Sequence, residues 1–196
     1  MDKERFEKQL SFILEADKEK SIFRQTHLIS GERCENDAEH AWHLALMIYL
    51  LREYSSEKID LARTMIMAII HDIVEIDAGD TYAYDTVAVE SQRERELAAA
   101  ERLFGLLPED QAKDLRAIFD EFEEAKTPEA IFARSMDCFQ PLLLNNSNGG
   151  GDWRRHGVRR EQVVKRQAKT KLSSSKLYDY SISVIDENVK KGNIKE

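Results

Sequence analysis

The sequence predicts an all-α protein, and three observations support this fold class. Residues of high helix propensity, chiefly Leu, Ala, Glu, Lys and Arg, dominate the composition. Only 3 prolines and 8 glycines occur among 196 residues, so turns are few and elements are long. Apolar residues recur at helical spacing along most of the chain. With 42% hydrophobic residues to fill a core, we predict a compact bundle of about seven or eight helices.

The first half of the chain is predicted to form three helices. They should run over residues 3–17, 37–54 and 59–71. Asn36 with Glu39 three residues later is a capping box, which predicts the start of the second helix. The third helix is apolar on almost all sides, as is typical of a central helix. The polar segment 18–31 should cross the surface, and Trp42 should fill the core or a helix interface.

The second half is predicted to be helical as well, with two loops. Helices should cover 90–104 and 108–124, and another should begin at Thr127-Pro128. Segments 76–89 and 145–151 lack a clean period and are rich in turn residues, so we predict loops there. No linker divides the chain, so we expect a single domain over 1–196, with its core over about 5–145 and a C-terminal helical extension over about 152–190.

Charge and cysteine usage exclude several classes of function. The chain has 29 basic and 37 acidic residues, a net charge of −8, which argues against binding a nucleic acid polymer. The start of the chain is charged and no apolar run approaches ~20 residues, so neither a signal peptide nor a membrane span is expected. Cys34 and Cys138 form no CxxC pair and are typical of reduced thiols, which predicts a cytoplasmic protein.

A histidine–aspartate doublet, His71-Asp72, ends the apolar run 65–70. Burying either group without a partner is costly, and one cation would offset the cost for both. His40 begins the second helix, and Asp137 lies within another apolar stretch. Two imidazoles and two carboxylates suit one divalent ion such as Mn²⁺, Co²⁺, Fe²⁺, Mg²⁺ or Zn²⁺. On an octahedral ion they leave positions open for water and substrate, as in a catalytic site.

Two further acids follow the doublet. Glu75 shares a helical face with His71, where it can hydrogen-bond a water of the site and serve as general base or acid. Asp80 comes after Gly79, which lets the backbone approach the site, so Asp80 can orient the attacking water or a leaving-group proton. No histidine occurs between His71 and His156, which favours a mononuclear over a dinuclear site.

The ordered pattern H…HD…D, with HDxxE, resembles the HD-domain superfamily of metal-dependent phosphohydrolases, and more closely its small branch that includes the 5′-deoxynucleotidases. The matching stretches, within about 5–145, are Glu39-His40-Ala41-Trp42, His71-Asp72-Ile73-Val74-Glu75, Gly79-Asp80 and Arg134-Ser135-Met136-Asp137. The resemblance implies that His40, His71, Asp72 and Asp137 hold the metal. It also implies that Glu75 and Asp80 match the catalytic acids, and that Arg24 matches an arginine that binds the substrate phosphate.

The chain departs from the deoxynucleotidase pattern beside this arginine. Gln25 stands where those enzymes have a tryptophan that senses the sugar, so the preference between ribose and deoxyribose stays open. The basic segment 153–166 lies outside the resemblance. Three roles stay open for it: a second phosphate contact, a dimer surface or an ordinary surface helix.

The expected activity is that of a phosphomonoesterase. It would release phosphate from ribo- or deoxyribonucleoside 5′-monophosphates through a metal-activated water. The alternatives are a phosphodiesterase or pyrophosphohydrolase acting on another nucleotide, and a non-catalytic HD module that binds a metal or nucleotide. Apolar strips on the helices, together with the dimers found in the branch it resembles, lead us to expect a homodimer.

Overall fold

The computed structural model describes residues 2–80 and 86–196 of the chain. The first half contains α1 (Lys3–Ala16), a 3-10 helix (Asp17–Ser21), β1 (Phe23–His27), β2 (Cys34–Asn36), α2 (Asp37–Leu51), a 3-10 helix (Arg52–Tyr54), α3 (Leu61–Ile70) and α4 (Glu75–Ala78). The second half contains α5 (Thr86–Phe104), α6 (Glu109–Glu124), α7 (Pro128–Ser147), α8 (Gly151–His156), α9 (Arg160–Arg166), α10 (Ala168–Ser173) and α11 (Ser175–Lys190). The all-α class is confirmed, with one small two-stranded sheet added.

The predicted element boundaries need four corrections. Segment 18–31 does not simply cross the surface, because β1 lies within it and pairs antiparallel with β2. The predicted loop 76–89 overlaps α4 and the start of α5, and its residues 81–85 lie outside the described residues. Helix α7 continues into the predicted loop 145–151. The predicted helical extension is not continuous but divides into α8 to α11, since Gly157 and Ser174 interrupt it.

The junction of β2 and α2 sets the position of the first predicted ligand. Asn36 ends the strand and caps the helix, and its Oδ1 accepts a hydrogen bond from the Glu39 amide at 2.9 Å. The Glu39 carboxylate accepts one from the Asn36 amide at 3.1 Å, which confirms the predicted capping box. Because the strand runs directly into the helix, His40 stands in the first turn of α2 and faces inward.

Helices α2, α3 and α7 form the centre of the molecule. Leu44, Ile48, Met67, Phe132 and Met136 are fully buried between them. This confirms α3 as a central helix, as its apolar surface predicted. Trp42 is 66% exposed, so the expectation that it fills the core is wrong.

The C-terminal segment packs against the same centre. Gln167, at the junction of α9 and α10, is almost fully buried and donates a hydrogen bond from Nε2 to the Cys138 carbonyl on α7 at 2.9 Å. Val163, Leu177 and Ile185 join the hydrophobic core that α2, α3 and α7 share. In the part of the chain that the structure describes, no helix combines the length and apolarity needed to cross a membrane. The division into core and extension stays a prediction.

Candidate active site

A polar cavity of about 280 Å³ lies where β1, the end of α3, α4, α7 and the C-terminal helices meet; we call it the site cavity. Every predicted site residue except His40 lines it: Arg24, His71, Asp72, Glu75, Asp80 and Asp137. His40 lies directly behind, in contact with Asp137. The residues that the sequence singled out therefore come together in space.

The His71-Asp72 doublet follows the last residue of α3. His71 Nδ1 donates a hydrogen bond to the Ala68 carbonyl at 2.9 Å, which keeps a proton on Nδ1 and makes Nε2 the nitrogen that can ligate a metal. Nε2 lies 3.1 Å from Asp72 Oδ2 but has no well-oriented hydrogen-bond partner among the described residues. A buried imidazole nitrogen held in this way is suited to ligate a metal.

The two charged forms of the doublet stabilise each other. Burial lowers the pKa of His71, but the Asp72 carboxylate outweighs burial and raises that pKa to about 9. Burial raises the pKa of Asp72, but His71 and Arg24 outweigh it and lower that pKa below its ordinary value. A metal ion that binds here must displace the His71 proton.

His40 and Asp137 complete the predicted ligand group. His40 is fully buried, and its Nε2 lies 3.2 Å from Asp137 Oδ1. Ligand atoms of His40, His71 and Asp72 lie within 4.8 Å of one another. The residues present fit a divalent ion, because two imidazoles and two carboxylates converge and His71 Nε2 has no hydrogen-bond partner within the described part of the chain.

Arg24 lies among these carboxylates and is only 9% exposed. Its Nη1 is 2.5 Å from Asp72 Oδ2 and 3.3 Å from Asp37 Oδ1. Its Nη2 is 3.8 Å from Asp137 Oδ1. Burial lowers the pKa of Arg24, but these carboxylates raise it well above its ordinary value. The predicted phosphate-binding arginine is therefore a buried residue of the site.

Glu75 and Asp80 form a second acidic group with Asp37. Glu75 is 7% exposed, Asp37 is fully buried, and oxygens of all three carboxyl groups lie within 4.8 Å of one another. Burial, with the negative charge of Asp72, raises the pKa of Glu75 to about 11 and that of Asp37 to about 8. Burial also raises the pKa of Asp80. A carboxyl group acts as a general acid while it holds its proton and as a general base once it has lost that proton.

Sequence reasoning missed Glu35 and Asp37. Glu35 lies in β2 and is 2% exposed. Its Oε1 is 3.4 Å from His40 Nδ1 and 3.8 Å from Arg24 Nε, and its Oε2 accepts a hydrogen bond from Gln140 Nε2 at 2.8 Å. A carboxylate beside the distal nitrogen of a ligating histidine orients the ring. In the sequence, Glu35 is only an acid in the middle of a three-residue strand. A strand of that length is too short for an alternating pattern to show that Glu35 is buried.

The basic segment 153–166 has no single role in the structure. Arg155 pairs at 3.3 Å with Asp152, which lines the site cavity, and Arg160 pairs with Asp186 at 2.8 Å. Arg166 is different, since its Nη2 lies 4.0 Å from Asp137 Oδ1 and it lines the site cavity. Gln25, where the chain departs from the deoxynucleotidase pattern, lines the cavity too.

Comparison with known families gives a match over most of the chain. A family model described as HD domain matches residues 16–177. A crystal structure from Magnetospirillum magnetotacticum, described as a predicted metal-dependent phosphohydrolase, is similar over 98% of this chain and 96% of that one, with 46% identity and a TM-score of 0.94.

Curated relatives are similar over a shorter stretch. The 5′-deoxynucleotidase HDDC2 of Mus musculus is 29% identical over 112 residues, which is 57% of this chain and 55% of that protein. The Xenopus laevis protein of the same name is 30% identical over 122 residues, or 62% of this chain and 57% of that protein. The chain thus spans little more than half the length of these relatives.

Proposed function

The chain belongs to the HD-domain family, and from this premise we propose that it is a metal-dependent phosphohydrolase that releases phosphate from nucleoside 5′-monophosphates. The observation that carries the proposal is the convergence of His40, His71, Asp72 and Asp137 beside the acids Glu75 and Asp80. A purely structural metal site has no need of additional acids. The similarity to proteins named 5′-deoxynucleotidase supports the choice of substrate class.

The proposed cofactor is one divalent ion, held by His40, His71, Asp72 and Asp137. Mn²⁺, Co²⁺, Fe²⁺, Mg²⁺ and Zn²⁺ all suit this mixture of imidazole and carboxylate donors. When bound, such an ion polarises the phosphoryl group and makes water a stronger nucleophile at neutral pH. Glu35 would hold the His40 ring in place through its contact with Nδ1.

The residues of this chain supply the proton transfers and the phosphate contacts. Water attacks phosphorus, the bond from phosphorus to the 5′ oxygen breaks, and the nucleoside and inorganic phosphate leave. Glu75 either takes the proton from the attacking water or gives one to the leaving oxygen. Asp80 orients the other of these two groups: the leaving oxygen in the first case and the attacking water in the second. Arg24 binds the phosphate and stabilises the charge that develops on its oxygens.

The size of the site cavity supports a small substrate. At about 280 Å³ it lies just below the range of ~300–1,000 Å³ that small-molecule sites occupy. Gln25 lines it, so this side chain is placed to influence the choice between ribose and deoxyribose.

A phosphate-release screen tests the proposal. Purified protein is assayed with ribo- and deoxyribonucleoside 5′-monophosphates in the presence of Mn²⁺, Co²⁺, Mg²⁺ or Zn²⁺. We expect release from at least one nucleotide with at least one metal, and none with excess chelator. Hydrolysis of diesters or pyrophosphates alone would replace the monoesterase with the phosphodiesterase or pyrophosphohydrolase alternative. Tight metal binding without turnover of any substrate would favour the non-catalytic module.

A homodimer in the cytoplasm is the proposed setting. One face of α2 exposes Trp42, Leu46, Tyr49 and Leu50, and Ile66 and Ile69 of the neighbouring α3 are exposed too. Apolar side chains repeated on one helical face favour association of two copies. We expect light scattering to give a dimer mass, and Leu46→Glu with Leu50→Glu to give a monomer. A monomeric wild-type protein would contradict the dimer. Cys34 and Cys138 are free thiols, which supports a reducing compartment.

A further inference from the structure

Two arginines from opposite ends of the chain face the same carboxylate oxygen. Arg24 Nη2 from β1 is 3.8 Å from Asp137 Oδ1, and Arg166 Nη2 from α9 is 4.0 Å from it. Both side chains line the site cavity. The C-terminal helices thus bring a cation, Arg166, to the proposed metal ligands.

Buried contacts of the neighbouring residues fix the position of Arg166. Its neighbour Gln167 is 1% exposed, donates to the Cys138 carbonyl at 2.9 Å and accepts from Thr170 Oγ1 at 2.9 Å. Val163, one turn earlier on α9, is buried in the core. These contacts hold the backbone of residue 166 against α7 next to Asp137, while the long side chain reaches the cavity.

The acidic lining of the cavity favours a role for Arg166 in binding phosphate. The carboxyl groups of Asp72, Glu75, Asp80 and Asp137 line the cavity. Arg24 is already paired with Asp72 at 2.5 Å and with Asp37 at 3.3 Å, so much of its charge is neutralised. An incoming phosphate dianion therefore needs a further cation beyond the metal. The Arg166 side chain is 22% exposed against 10% for Arg24, so it is the more accessible guanidinium.

We propose that Arg166 is a phosphate-binding residue of this site and that it favours phosphate monoesters over diesters. A planar guanidinium can bind two phosphate oxygens at once. A monoester dianion offers three terminal oxygens for the metal and two arginines to share, whereas a diester offers fewer and carries less charge. The inference rests on the proposed function only in taking a phosphate ester as the substrate.

The test compares three variants. Arg166→Met removes the charge but keeps the length, Arg166→Lys keeps a charge without the planar fork, and Arg160→Met is the matched control on α9, where Arg160 pairs with Asp186. Inorganic phosphate is titrated into Mn²⁺-loaded protein by calorimetry. KM and kcat are measured for a nucleoside monophosphate, and bound metal is measured by elemental analysis. Hydrolysis of p-nitrophenyl phosphate and of its bis-ester gives the monoester preference.

For Arg166→Met we expect the Kd for phosphate and the KM to rise roughly 10- to 100-fold, the size of a lost hydrogen bond to a charged group. Metal content should stay the same, the monoester preference should fall, and Arg166→Lys should recover part of the loss. Arg160→Met should behave as the wild type.

Three results would overturn the inference. They are unchanged phosphate binding and KM in Arg166→Met, loss of bound metal from both Arg166 variants, and failure of the metal-loaded wild type to bind phosphate. If the wild type binds phosphate but hydrolyses no ester, the proposed function fails while the titration still decides the role of Arg166.

Discussion

Asp72→Ala should release the metal and reduce phosphate release to the background of the assay. Asp72 is one of the four proposed ligands, and its Oδ2 lies 3.1 Å from His71 Nε2 and 2.5 Å from Arg24 Nη1. The substitution removes a proposed ligand and leaves the Arg24 guanidinium beside the metal site without its closest counter-charge. Elemental analysis after dialysis gives the metal content, and phosphate release gives the activity. We expect a loss of at least ~10³-fold in kcat/KM, since removal of a metal removes its stabilisation of the transition state.

A nearby aspartate provides the control for this variant. Asp77 in α4 pairs with Arg102 on the surface and does not line the site cavity. Asp77→Ala should retain metal and activity. Circular dichroism spectra and melting curves of both variants separate loss of ligation from loss of fold. Wild-type metal content and turnover in a folded Asp72→Ala protein would refute the proposed ligand set.

Glu75→Gln should retain the metal and lower kcat by about 10²- to 10⁴-fold, the usual contribution of a general acid or base. The amide has nearly the shape of the carboxyl group but cannot exchange a proton, so binding of metal and phosphate should change little. The result expected is therefore a fall in kcat at nearly constant KM, measured by steady-state phosphate release.

Glu101→Gln is the matched control for this variant, because Glu101 lies exposed on α5 and only approaches Arg116 at 3.5 Å. It should leave kcat unchanged. A Glu75→Gln protein with wild-type kcat would exclude proton transfer by Glu75. Loss of metal from this variant would instead show that Glu75 is a ligand, and the mononuclear four-residue set would need revision.

The site residues that could be predicted from the sequence are those in regular helical context. His71, Asp72 and Asp137 stand out because each interrupts or ends an apolar run, where a charged group needs a partner. His40 directly follows the capping box of Asn36 and Glu39, which is recognisable in the sequence. Local patterns of this kind depend on neighbours within one helix, so they can be recognised without knowledge of the tertiary structure.

The residues that were missed depend on contacts between distant segments. Glu35 lies in the three-residue strand β2. The hairpin of β1 and β2 buries Arg24, although its segment is polar in sequence and was predicted to cross the surface. Arg166 is one of several basic residues in segment 153–166, for which a phosphate contact was left open, and its place beside Asp137 depends on the packing of Gln167 against α7. Neither helix propensity nor hydrophobic periodicity indicates which helix a given helical surface will contact.

The order of the site residues along the chain has a consequence for biosynthesis. A growing chain exposes its N-terminal residues first, so α2 and α3 can associate before α7 has been made. Asp137 then completes the proposed ligand group, and Arg166 reaches it only after α9 has emerged. A ribosome-bound intermediate would carry the histidines with an incomplete set of carboxylates. Loading of the metal is therefore expected late in synthesis, when binding also stabilises the finished fold against unfolding.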